Sequence, residues 1–270
     1  MAVAVAANKK RYMWVLIWAL VGGYAGTVIG YQSVSQSGAS APPNGGSPDH
    51  SSYFAQHFST DALSPEAKAA VVRAKLAPVP FGKIVVHTRD QMTPIQPGQG
   101  SPSTYTSEVT FENAGQGLVR RMELMQTNKG ERATRLELTY RGYFPFLTQS
   151  ISSNASALPP VMEARKVVRF DTQTDGHMNF TYFYGVAGKE ISTDPGQVVC
   201  DAGKRYAASQ INPAIEGQAL ELECQIIDEN GGVTNKVTFA YLDKYRIALL
   251  LQVKSPDSTL DSVIEDFKPE

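Results

Sequence analysis

The sequence predicts a mainly β protein: an N-terminal transmembrane helix, then a β-rich exported domain with one helix on a large antiparallel sheet. Three observations carry that expectation. One uncharged apolar run stands near the N-terminus, hydropathy alternates with a period of two from residue 83 onward, and short turn signals join the alternating stretches. The 270 residues are 42% hydrophobic and 19% charged, which excludes a wholly disordered chain, a collagen-like repeat and a multi-span membrane protein. A formal net charge of -1 argues against a nucleic-acid partner.

Charge is unevenly placed. Lys9, Lys10 and Arg11 precede Tyr12–Gly30, which holds no charged residue. As a helix that run is about 28 Å long at ~1.5 Å per residue, close to the hydrocarbon thickness of a bilayer. The positive-inside rule keeps residues 1–11 in the cytoplasm and exports the chain beyond Tyr31. This describes a single-pass inner-membrane protein with its C-terminal domain in the periplasm. A cleaved signal peptide is the competing reading. Ala39-Ser40-Ala41 has a small-x-small form but lies far beyond the apolar run, and Pro42 stands directly after it. Gly22, Gly26 and Gly30 share one helix face, which suits close approach of a second copy or another membrane helix.

Residues 31–59 read as a Ser/Gly/Pro-rich tether, since 31–52 contain 13 such residues and no apolar period. The domain then covers 60–270, with a possible subdivision near 150–165. Asp61–Leu76 reads as its helix, with Ser64 as cap, Pro65 at the first position and Glu66 in the first turn. Ala67, Ala69, Ala70, Val71 and Ala74 form its small-residue face, and Pro78 and Pro80 stop it.

Strands are expected from Lys83 to Arg89, at 107–113, and at 118–126 with Leu118, Met122 and Leu124 on one face. A turn at Thr127–Gly130 leads to 135–143, with Leu136, Leu138 and Tyr140 on one face. Further strands are expected at 166–170, 178–184, 219–228, 234–242, 246–253 and 263–267. That makes ten or eleven, joined as a meander. The stretches 91–104 and 149–162 read as long loops.

Cys200 and Cys224 are the only cysteines, and a pair in exported sequence points to a disulfide. His50, His57, His87 and His177 show no metal-ligand spacing, so no metal and no cofactor are expected. No nucleophile elbow, P-loop or dinucleotide fingerprint is present. An enzyme would need a constellation assembled by the fold, with His87 or His177 beside an acid.

The aromatic clusters YRGYFPF (140–146) and FTYFYG (180–185) either fill a β-core or hold an apolar ligand or partner. Tyr143, Phe144, Phe146 and Tyr182 are the candidate contact residues, and Gly142 and Pro145 favour exposure of the first cluster. The function expected is a non-enzymatic, membrane-anchored envelope component that binds a partner or supports an assembly. The alternative is an acceptor domain for a lipid or another apolar ligand.

Overall fold

The computed structural model describes residues 50–95, 100–189 and 194–270. The chain divides into two compact units, Met1–Gln56 and His57–Glu270. Helix α1, His50–His57, falls across their boundary, where the sequence led to a tether. The run 12–30, with Gly22, Gly26 and Gly30, lies outside the described residues. Among the described residues no helix is long and apolar enough to cross a membrane.

The second unit opens with a 3-10 turn at Thr60–Ala62 and helix α2, Pro65–Ala74. Ser64 caps α2 as expected, its hydroxyl accepting the Ala67 N–H at 3.4 Å. Twelve strands come next: β1 (Lys83–Pro94), β2 (Ser103–Gly115), β3 (Leu118–Thr127), β4 (Arg132–Tyr140), β5 (Phe144–Ser152), β6 (Met162–Phe170), β7 (His177–Val186), β8 (Asp194–Ala207), β9 (Gln218–Ile227), β10 (Val233–Leu242), β11 (Ile247–Lys254) and β12 (Ser258–Pro269). Each pairs antiparallel with its chain neighbours, and β1 pairs with β12. The large antiparallel sheet expected from the sequence is therefore present, and it closes into a barrel.

The ladder is thin at two seams. β5 and β6 pair only through Leu147–Glu163 and Thr148–Met162. β11 and β12 pair only from Gln252–Asp261 to Lys254–Thr259. The seams divide the ring into two six-stranded halves, β12 with β1–β5, and β6–β11. Side chains from inserted segments occupy the carbonyls that the ladder leaves. The Ser64 hydroxyl donates to the Arg165 carbonyl at 2.8 Å, and the Asn212 amide donates to the carbonyls of Ile264 and Glu265 at 3.1 and 3.2 Å.

The halves also meet across the interior. The β4–β5 turn reaches β11, where the Ala248 N–H donates to the Arg141 carbonyl at 2.7 Å. Gly142 makes this approach possible. Its φ is +84°, and a Cβ there would lie 2.9 Å from the Ala248 carbonyl oxygen. Eight strands already enclose about as much space as side chains fill, so a round twelve-stranded barrel would be hollow. This pinch brings the walls together.

The outer wall carries ion pairs such as Arg89–Glu265 at 3.3 Å and Arg120–Glu112 at 3.2 Å. That is a water-facing wall, because a basic side chain on a lipid-facing strand costs about 2–4 kcal/mol at the bilayer midplane. At the end closed by the β2–β3 and β10–β11 turns, Ile84, Val86, Val109, Phe111, Leu242, Ile247, Leu249 and Phe267 form an apolar core.

Candidate functional site

The barrel interior holds two chemically distinct layers. The first is aromatic. Phe144 stacks on Phe180 with ring centroids 4.7 Å apart, and Phe170 meets Tyr140 edge-on at 5.0 Å. Phe144 also meets Phe146 at 5.2 Å and Tyr182 at 5.4 Å. Tyr143, from the β4–β5 turn, reaches Phe239 of β10 at 6.2 Å. Strands so far apart in the ring can meet only through its interior. All four candidate contact residues, Tyr143, Phe144, Phe146 and Tyr182, therefore belong to one buried cluster, with Phe146 at 0% exposure. Of the two readings of 140–146, the structure shows core filling, and the exposure that Gly142 and Pro145 favour is not found. A register shift between Leu138 and Thr139 re-aims the tip of the hairpin, and the pinch on β11 buries it.

The second layer is polar, and the register places it on the inner face. Glu123 stands opposite Arg135, Arg121 opposite Glu137, and Glu137 opposite Thr148. Arg121 donates from Nη1 to Glu137 and from Nη2 to Glu123, each at 2.8 Å. Arg135 donates from Nε and Nη2 to the second oxygen of Glu137, both at 2.8 Å. Burial pushes the Glu137 carboxyl up, but Arg135 and Arg121 outweigh it and hold the group below the usual carboxylate range. Asp90 takes the opposite course. It accepts from the Thr88 and Ser107 hydroxyls at 2.8 and 2.9 Å. Burial raises its pKa, Ser262, Thr88 and Ser107 offset part of the rise, and Glu123 adds to it.

Two tyrosine hydroxyls complete this layer. Tyr105 pairs in register with Asp90 on β1, and Tyr184 stands on β7, on the other half of the ring. Both hydroxyls are buried and without a hydrogen-bond partner among the described residues. Burial raises both phenol pKa values, and the nearby carboxylates raise them further. Arg135 lowers both in part. A buried, unsatisfied hydroxyl costs about 1–3 kcal/mol, so these two groups call for a partner.

Sequence reasoning missed this layer. It set Leu118, Met122 and Leu124 on one face of a strand, and Leu124 proves to be exposed while Arg121 and Glu123 are buried. The readable signal is charge complementarity across the hairpin. Folding at Thr127–Gly130 sets Arg121 against Glu137 and Glu123 against Arg135, two opposite-charge pairs on one face.

The remaining candidates lie on the wall. Cys200 and Cys224 face each other on β8 and β9 and form the expected disulfide. His87 lies between Glu108 and Asp266, 3.4 Å from each, and His177 Nδ1 lies 2.7 Å from Asp201. Both histidines are half-exposed on the outer surface. Among the described residues no group of three or more His, Cys, Asp or Glu converges as a metal site.

Fold and interior define a closed antiparallel β-barrel with an amphipathic lining. No protein-family model and no curated protein matches the sequence. Two solved structures resemble the fold. One is a β-barrel-like protein of domain of unknown function DUF1849 from Brucella abortus, at 10% identity and a TM-score of 0.45, covering 71% of this chain and 99% of that one. The other is a DUF1329 family protein from Desulfovibrio piger, at 8% identity and a TM-score of 0.32, covering 77% of this chain and 94% of that one.

Proposed function

We propose that this protein is a non-enzymatic binding protein whose barrel takes an amphiphilic, mainly apolar molecule between its two halves. One observation carries the reading: a single interior joins an aromatic layer to a buried polar layer with unpartnered hydroxyls. Ligand sites have this composition, with apolar walls for affinity and a few placed polar groups for orientation. The cell-envelope placement belongs to the same proposal. Residues 12–30 would anchor the chain in the inner membrane, and the barrel would stand in the periplasm, where the Cys200–Cys224 bridge suits an oxidising compartment. The face of Gly22, Gly26 and Gly30 would be the place for a helix partner or a second copy.

The test is purification of the full chain from its own membranes, then mass spectrometry of the intact complex and of its organic extract. A bound apolar molecule in near-stoichiometric amount is the expected result. If no bound molecule appears and a fluorescent apolar probe does not bind saturably, the reading is wrong.

A further inference from the structure

The interior also indicates which head group its ligand carries. We propose that the polar layer selects an uncharged hydrogen-bond acceptor, such as an ester or amide carbonyl on an apolar chain, over carboxylate and phosphate heads. The proposal rests on the amphiphile-binding reading and makes it more specific.

Charge is the first argument. The inner face of β1–β4 carries three carboxylates, Asp90, Glu123 and Glu137, against two guanidinium groups, Arg121 and Arg135. Both guanidiniums are engaged, Arg121 by Glu123 and Glu137 and Arg135 by Glu137. An anionic head would displace a carboxylate from its arginine or sit beside carboxylates unpaired. Either way it loses its hydration without a cation in return.

The second argument is what remains unspent. Asp90 is satisfied by hydroxyl donors and Glu137 by two arginines. Among the described residues the phenol hydroxyls of Tyr105 and Tyr184 are buried without a partner, as is the Asn235 amide nitrogen on β10, another donor. Tyr105 is 7% exposed, and its hydroxyl stands within the electrostatic reach of Asp90, Glu123 and Arg135. A phenol beside carboxylates is a donor in search of an acceptor. Tyr105 stands on β2 and Tyr184 on β7, in opposite halves of the ring, and an acceptor that reached both would be held from two sides. The aromatic layer on β4–β7 would take the chain that carries it.

The experiment uses the full chain, stripped of bound lipid, and a matched series of equal chain length: a fatty-acid methyl ester, the fatty acid, the alkylamine and the alkane. Each competes against a fluorescent apolar probe. The ester should displace the probe best, by roughly 10-fold over the alkane, about one to two net hydrogen bonds. Tyr105→Phe and Tyr184→Phe should each reduce that preference severalfold and leave alkane affinity unchanged. Both variants should fold, since each removes only an unsatisfied hydroxyl, and near-ultraviolet circular dichroism checks this. A fatty acid or amine that outcompetes the ester overturns the head-group proposal alone. So does an ester preference that survives both substitutions, which would mean water satisfies the phenols. Failure of the unmodified protein to bind any member or the probe overturns the amphiphile reading itself.

Discussion

Replacing Glu137 by Gln tests whether the polar layer is a coupled ionic network. The side chain keeps its shape and loses its charge. In the folded protein its two oxygens receive one bond from Arg121 and two from Arg135, all at 2.8 Å, with the Thr148 hydroxyl at 3.4 Å. The glutamine would offer one acceptor oxygen and turn an NH2 group toward guanidinium donors. Arg121 would keep Glu123, and Arg135 would lose the carboxylate it shares. Breaking a buried pair from one side costs about 3–5 kcal/mol, so a loss of about 4 kcal/mol is expected. That is a large part of the ~5–15 kcal/mol by which domains are stable. Glu265→Gln, which breaks the half-exposed pair with Arg89, should cost about 1 kcal/mol or less. Urea unfolding with the disulfide intact is the assay, and Cm should fall at constant m. The Glu137 pKa is held down in the folded state, so its contribution is present above the unfolded carboxylate pKa. It is lost as pH falls through the folded value. E137Q should remove that part of the acid limb. A loss under about 1 kcal/mol would refute the network argument, because the two arginines would then be satisfied without Glu137.

Asp90→Asn should act in the opposite sense. Its folded pKa is raised, so the contribution is fully present below the unfolded carboxylate pKa and declines as pH rises through the folded value. The asparagine carbonyl would still accept from Thr88 and Ser107. Stability at neutral pH should hold or increase and that decline should vanish, whereas a Tm that drops sharply at neutral pH would contradict the assignment. Gly142→Ala tests the pinch: left-handed strain of about 1–2 kcal/mol adds to overpacking of about 1–3 kcal/mol against Ala248 and Phe111. Gly130→Ala has a similar φ and open space around it, so it should cost only the strain, and equal Tm losses would count against the pinch.

Local patterning is legible where it rests on neighbouring residues. The alternation at 219–228 and 234–242, the turn at Thr127–Gly130 and the cap at Ser64 all read directly from residue types. The strand Asp194–Ala207 does not, because Pro195, Gly196 and Gly203 look like loop residues. Gly196 is in a strand because the Tyr182 ring covers it. A Cβ there would lie 2.9 Å from Tyr182 Cζ, a contact that exists only after β7 and β8 pair. Barrel closure is hidden for the same reason. The pairing of β1 with β12 joins the two ends of the domain, and no local signal reports it. Strand β1 runs past the expected end at Arg89 to Pro94, since Thr88 and Ser107 make Asp90 acceptable on the inner face. The alternation also does not say which face is inside. On β4 the apolar residues Leu136 and Leu138 are buried, yet Glu137 is the one that faces the interior with Arg121.

The two seams lie between the halves that the pinch draws together, and most ladder hydrogen bonds are missing there. Ser64 and Asn212 replace a few of them, and Phe144, Phe146 and Phe170 fill the space beside β5–β6 with side chains. Widening the interior to admit a molecule therefore costs least at β5–β6, where opening breaks the pairing of Leu147–Glu163 and Thr148–Met162 and the contacts of Ser64. Opening within either half would break a long continuous ladder. Native-state hydrogen exchange measures this difference, because each amide reports the cheapest opening that exposes it. The amides of Leu147 and Glu163 should exchange faster than those of Met122 and Leu136, which lie mid-ladder between β3 and β4. Equal protection at the four positions would mean that the ring opens only as a whole, and a ligand would then have to enter through the loops.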